Sequence, residues 1–130
     1  MILDTTFLID LLQNQVEATE KLKLLQAKNI PISITTPSIV EIWTGLHYTK
    51  KTETEKKKIL DVLESQIVHN LDKESAEKAG EINGSLIKKG EQIEIIDSMI
   101  AGIASKNNEP VLTRNIKHFG KIKEIKVETY

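Results

Sequence analysis

The sequence has no cysteine, a single arginine, three prolines and only 4% aromatic residues. The first absence excludes disulfides and thiolate metal sites. Its three histidines (His47, His69 and His118) fall at no ligand spacing, so any metal must be held mainly by oxygen. No apolar run approaches the ~20 residues of a membrane-spanning helix, and no membrane segment is expected. No basic leader with a cleavage site precedes the first apolar segment, so the expected compartment is the cytoplasm. A net charge of −1 gives no global field to attract a polyanion, and nucleic acid would have to be met by a local basic patch.

What is present suits a single domain spanning 1–130: 130 residues, 39% hydrophobic, with no repeat, linker or low-complexity tract. Strand-like and helix-like stretches alternate. "MIL" is a short strand, and the segment after it is a helix burying Phe7, Leu8, Leu11 and Leu12, with Asp10 on its solvent side. Residues 16–29 read as a helix with Leu22, Leu24 and Leu25 inward, and 30–35 as a buried strand. The next helix starts at Thr36 as N-cap with Pro37 in its first position. Residues 52–65 are a charged amphipathic helix, 66–71 a strand, and 72–90 a long helix closed by Gly90. Residues 97–108 form a small-residue apolar helix, 110–113 a strand, and 125–130 an edge strand. Strands separated by helices predict a parallel sheet covered on both faces, an α/β three-layer domain. Ligands of such sheets lie beyond the carboxyl ends of the strands, where Asp4 and Thr113–Asn115 fall.

The chain has five aspartates against fourteen glutamates. Asp61 and Asp72 lie in polar surroundings and read as surface or cap residues. Asp4, Asp97 and Glu41 are flanked by residues that belong inside. A lone buried carboxylate is costly and tends to take up a proton. Three that converge repel one another, and a divalent cation removes that repulsion. Each also has a plainer account: Asp4 and Asp97 as helix caps, Glu41 as a first-turn acid favoured by the helix dipole.

The order of motifs carries more information. An acid after the first strand in "LDTTFLIDLL" is followed by a glutamate in "TPSIVEI", then "IIDSMIAGIA", then "VLTRNIKHF". From Leu3 to Phe119 this resembles the PIN-domain ribonucleases, and the short form resembles VapC-type toxins of toxin–antitoxin pairs. The resemblance implies a PIN-like fold and a metal-dependent endoribonuclease. Asp4, Glu41 and Asp97 would be its Mg2+ or Mn2+ ligands, and one of them, Glu41 foremost, would take the proton of the attacking water. It implies Thr6 and Thr113 as hydroxyls that orient the carboxylates, and Asn115 at a fourth position. The chain departs from many relatives by having Thr6 in place of asparagine and His118 in place of aspartate. The implied partners are an RNA substrate, an antitoxin protein and a second copy of the chain, with Trp43, Leu46, Ile59 and Leu63 as either dimer surface or core.

Substrate contacts stay open at this level. Arg114 is either a phosphate ligand or one half of a salt bridge. Lys50, Lys51, Lys56, Lys57 and Lys58 are a basic edge or a solvated helix face, and Trp43 and Tyr48 stack on bases or serve structure. Two other classes remain. A phosphatase of the haloacid-dehalogenase type usually has a second acid where this chain has Thr6. A non-catalytic PIN-like binding module, acting as a scaffold or partner, would bury one or more acids without holding metal. A nuclease of RNA maturation or quality control would share the same site.

Overall fold

Five short strands, β1 (Ile2–Leu3), β2 (Ser33–Thr35), β3 (Ile67–His69), β4 (Val111–Leu112) and β5 (Val127–Glu128), all run parallel in the order β3-β2-β1-β4-β5. This is seen in a computed structural model that describes residues 1–130. Four helices, α1 (Thr5–Leu12), α2 (Val16–Ala27), α3 (Thr36–Tyr48) and α4 (Glu53–Glu64), contribute to the core on one face. The other face carries α5 (Lys73–Lys88), α6 (Ile95–Asn107) and the short α7 (Ile116–Phe119). The three-layer α/β architecture expected from the sequence is the one observed.

Strand alternation sorts the two cores. Ile2 pairs in register with Val111 and both enter the core under α5 and α6; Leu3 pairs with Leu112 and both enter the core under α1–α4. With side chains demanded on both faces, a strand this short leaves no polar position, which is why it reads as a plain apolar run. Phe7, Leu8, Ile100 and Ile103 are wholly buried, each contributing about 1.5–3 kcal/mol of transfer free energy. No helix is long and apolar enough to cross a membrane.

Several local expectations are corrected. The N-cap of α3 is Thr35, whose hydroxyl accepts from the Ser38 N–H at 3.3 Å, because the Thr36 hydroxyl is taken by the Leu71 N–H at 3.0 Å. Leu24 is exposed while Leu25 is buried, since α2 offers the sheet a narrow stripe. Asp72 caps α5 as expected, and Gly90 follows that helix with φ +72°, a left-handed turn that glycine adopts without strain.

Two devices fix the middle of the sheet. At the amino end of β1, the Met1 ammonium donates to the Pro31 carbonyl and to Glu109 Oε2, both at 2.9 Å. Glu109 also meets His69 Nε2 at 2.7 Å and the Ser33 hydroxyl at 3.2 Å, so one carboxylate ties β1, β2 and β3 to the start of β4. Across the sheet, α6 packs so closely on α5 that a Cβ at Gly102 would lie 2.4 Å from the Ser75 carbonyl oxygen. That contact sets the height of α6, and with it the height of Asp97.

Candidate active site

The chain direction reverses about β1: the connection to β2 leads one way across the sheet, and β4 lies on the other side. The crevice outside the carboxyl ends of β1 and β4 is therefore the switch point at which such sheets bind ligands. Asp4 follows β1 directly and is 2% exposed. It is both a helix cap and a member of a polar cluster, so its two sequence readings are not exclusive. Oδ1 accepts from the Phe7 N–H at 2.9 Å and from the Thr6 hydroxyl at 2.8 Å, and Oδ2 accepts from the Thr113 hydroxyl at 2.6 Å.

Asp97 is in the first turn of α6, where the helix dipole favours a negative charge, and is not the cap; that position belongs to Glu94, which makes no side-chain cap bond. The Asp97 carboxylate receives His118 Nδ1 at 2.5 Å and Asn115 Nδ2 at 3.3 Å on the same oxygen. Glu41 lies in the second turn of α3, past the first-turn position, and accepts from the Thr5 hydroxyl. On its outer side a cleft of ≈ 290 Å³ opens between α1, α3 and α4.

The three acids feel one another. Burial pushes the Asp4 carboxyl above the usual carboxylate range; hydrogen bonds from Thr113, Phe7 and Thr6 pull it back, and the charge of Asp97 adds to the rise. Burial likewise raises Glu41, opposed by Thr5 and reinforced by Asp97, Glu94 and Asp4. Asp97 is raised by burial against the pull of His118, with Glu94 adding to the rise. Burial thus raises all three groups, and like charge adds to it at each, from Asp97 at Asp4 and Glu41 and from Glu94 at Asp97.

As the side chains stand, no three histidine or acidic groups are gathered to hold an ion between them. Each carboxylate is turned instead to a hydroxyl, imidazole or amide donor. The donor set nevertheless suits a hard divalent cation: it is oxygen-only at Asp4, Glu41 and Asp97, partly dehydrated, and carries repulsion that a positive charge relieves.

Sequence reasoning misplaced one residue and overlooked others. Asp10, expected on the solvent side of α1, is 3% exposed. Its carboxylate is bonded by Arg114 and by the Tyr130 hydroxyl, and these partners arrive from more than a hundred residues away, so no local pattern announces them. Thr5, Glu94 and His118 also belong to the neighbourhood. Arg114 meets Asp10 in the salt bridge that was one of its two readings. Leu46 and Ile59 are core, Leu63 is half-buried, and Trp43 is 40% exposed with its ring against His47. Lys56 and Lys57 pair with Glu53 and Asp61 along α4, and Lys58 binds the Leu12 carbonyl and Asn14. Trp43, Lys50, Lys51, Lys56 and Lys57 line an open cavity of ≈ 740 Å³ at the α3–α4 turn, apart from the carboxylates.

Comparison with known proteins places the fold. Similar solved structures include a chain from the crystal structure of VapBC2 from Rickettsia felis bound to a DNA fragment from their promoter, at 27% identity, covering 99% of this chain and 97% of that one, with TM-score 0.89. A chain of the DNA-bound VapBC from Salmonella typhimurium is 25% identical, covering 98% and 96%, with TM-score 0.87. A chain of VapBC-1 from nontypeable Haemophilus influenzae, 21% identical over 98% and 96%, has TM-score 0.83 and shares the fold. Comparison with curated proteins finds no significant match. The family model for the PIN domain matches residues 1–125, so that the chain, nearly end to end, belongs to the PIN-domain family.

Proposed function

We propose that this PIN-domain protein is a metal-dependent endoribonuclease that acts as the toxin of a toxin–antitoxin pair. What supports the reading is that Asp4, Asp97 and Glu41, from three distant parts of the chain, are each raised by burial, and that the charge of Asp97 acts on both Asp4 and Glu41. Likeness to chains of VapBC complexes supports an antitoxin partner.

In this reading Asp4, Asp97 and Glu41 hold Mg2+ or Mn2+. When bound, the ion offsets phosphate charge and makes a water acidic enough to attack near neutral pH. The remaining work belongs to the chain. Thr6, Thr113 and the Phe7 N–H hold Asp4 in one orientation, and His118 with Asn115 does the same for Asp97. Glu41 is the least buried of the three, and in this reading it would take the proton of the attacking water. As the water oxygen bonds to phosphorus, the bond from phosphorus to one ribose oxygen breaks, and that oxygen leaves as a hydroxyl with a proton from solvent.

A second reading, a non-catalytic PIN-like module, is favoured by one feature: every carboxylate already has a protein donor, and no three acids are gathered for an ion. Calorimetry separates the two. The nuclease reading expects Mn2+ to bind wild-type protein with measurable heat and Asp97→Asn to abolish it. It also expects cleavage of single-stranded RNA that stops in chelator and resumes with Mg2+ or Mn2+. No heat and intact RNA would leave the scaffold reading standing. Induced expression that arrests growth only when Asp97 is intact tests the toxin role.

A further inference from the structure

Asp10, Arg114 and Tyr130 form a charged group beside the carboxylates, outside the proposed metal-binding set. Arg114 lies between Thr113, which bonds Asp4, and Asn115, which bonds Asp97. Its guanidinium meets Asp10 end-on, Nη2 donating to Oδ1 at 3.1 Å and Nη1 lying 3.0 Å from Oδ2. The Tyr130 hydroxyl donates to the same Oδ2 at 2.7 Å. The Tyr130 ring stands edge-on to Phe7, centroids 4.7 Å apart, and the Phe7 N–H in turn donates to Asp4. Hydrogen bonds thus join Tyr130 to Asp10 and Asp10 to Arg114, with the Tyr130 ring packed on the residue whose N–H meets Asp4.

Such an ion pair is a poor stabiliser compared with apolar side chains of equal volume, because the buried acid must be dehydrated. What it supplies is direction. A guanidinium carries five N–H groups in one plane; the pairing with Asp10 uses one N–H of Nη2 as a hydrogen bond and holds Nη1 by charge. The side edge, formed by Nε–H and a second N–H of Nη2, keeps its own fork. The Asp10 side chain is 4% exposed whereas that of Arg114 is 63% exposed, so the pair is buried at the acid and open at the base. A fork of that kind matches a phosphate.

We propose that Asp10 and Tyr130 are positioning residues that clamp Arg114 by one edge and leave its other edge to grip a non-reacting phosphate of the RNA strand beside Asp4 and Asp97. This rests on the ribonuclease reading and adds to it the residues that set substrate affinity.

The test is steady-state cleavage of a labelled single-stranded RNA by the full chain with Mn2+, together with binding of the same RNA across a salt series in the Asp97→Asn background. Tyr130→Phe and Asp10→Asn should raise KM about tenfold, the worth of one charge-assisted hydrogen bond, with kcat nearly unchanged. Arg114→Lys keeps the charge but loses the fork and should behave like them. Arg114→Ala should also lower the slope of log affinity against log salt by about 0.7. A merely structural staple would lower the melting temperature of these variants and leave KM and the salt slope at wild-type values, which overturns the proposal. Circular dichroism checks folding, and Tyr130→Phe, which removes one hydroxyl, keeps the test valid if Asp10→Asn fails to fold. Wild-type protein that neither binds nor cleaves RNA would sink the ribonuclease reading and this role with it; wild-type cleavage with indifferent variants would sink this role alone.

Discussion

The Thr113 hydroxyl donates to Asp4 Oδ2 at 2.6 Å, joining the carboxyl ends of two neighbouring parallel strands from residues 109 positions apart. Both groups are almost fully buried, so neither has water to fall back on. Thr113→Val keeps the shape and deletes the donor. The expected result is a stability loss of about 1–3 kcal/mol in urea denaturation, the cost of leaving a buried acceptor short of a partner. The Asp4 carboxyl should also rise further above its ordinary range, since Thr113 is the strongest of the groups that hold it down. Unchanged stability would mean that Thr6 and Phe7 suffice.

Glu41→Gln should stabilise the metal-free protein at neutral pH. Folding raises the Glu41 carboxyl above its ordinary value of 4.5, so the native state binds that proton more tightly than the unfolded chain. Its contribution is complete below the ordinary value and is lost as pH rises through the raised native one. Glutamine keeps an acceptor for Thr5 and carries no charge. The gain should be small, under about 1 kcal/mol, because solvent screens a half-buried charge. Melting curves of both proteins should differ most at pH 7 and converge below about pH 4.

Divalent ions should reverse that order. An ion that binds only the native state adds roughly 2.7 kcal/mol at a hundred times its dissociation constant. With Mn2+ the wild type should therefore melt higher than in chelator, while Asp4→Asn and Glu41→Gln gain far less. Equal gains in all three proteins would move the ion to another part of the molecule.

Gly102→Ala should be among the most damaging single-methyl additions in the chain. The new carbon would sit 2.4 Å from the Ser75 carbonyl oxygen and 2.7 Å from the Ala79 nitrogen, both of them backbone atoms that cannot swing aside. Overpacking of this kind costs about 1–3 kcal/mol. Because α6 carries Asp97 five residues earlier, Mn2+ affinity should fall along with stability. Alanine at Gly84, with nothing within 4 Å and inside α5, is the matched control; it should raise stability by about 0.5–1 kcal/mol and leave Mn2+ affinity unchanged.

What could be read in advance follows the range of the forces involved. The three-layer sheet was legible because alternation, caps and punctuating residues are local. The acids Asp4, Glu41 and Asp97 stood out because each interrupts an apolar stretch. Asp10 was misread for the same reason in reverse: Phe7, Leu8, Leu11 and Leu12 mark the buried side of α1, and nothing nearby indicates that Arg114 and Tyr130 will cover the opposite side. The cap of α3 shifted by one residue because the Thr36 hydroxyl is claimed from beyond β3, at Leu71. The partnership of Thr5 with Glu41 was hidden too, since a threonine beside a helix start has an ordinary local use.

The central strand is braced by the two ends of one short stretch: Glu109 grips its beginning and Thr113 its final acid. Side chains on a strand change sides with every step, so lengthening that stretch by a single residue would keep at most one of the two grips. Drift in length is closed to residues 109–113. The helix bearing Glu41 and the short α7 bearing His118 lie outside that stretch and are free of its constraint.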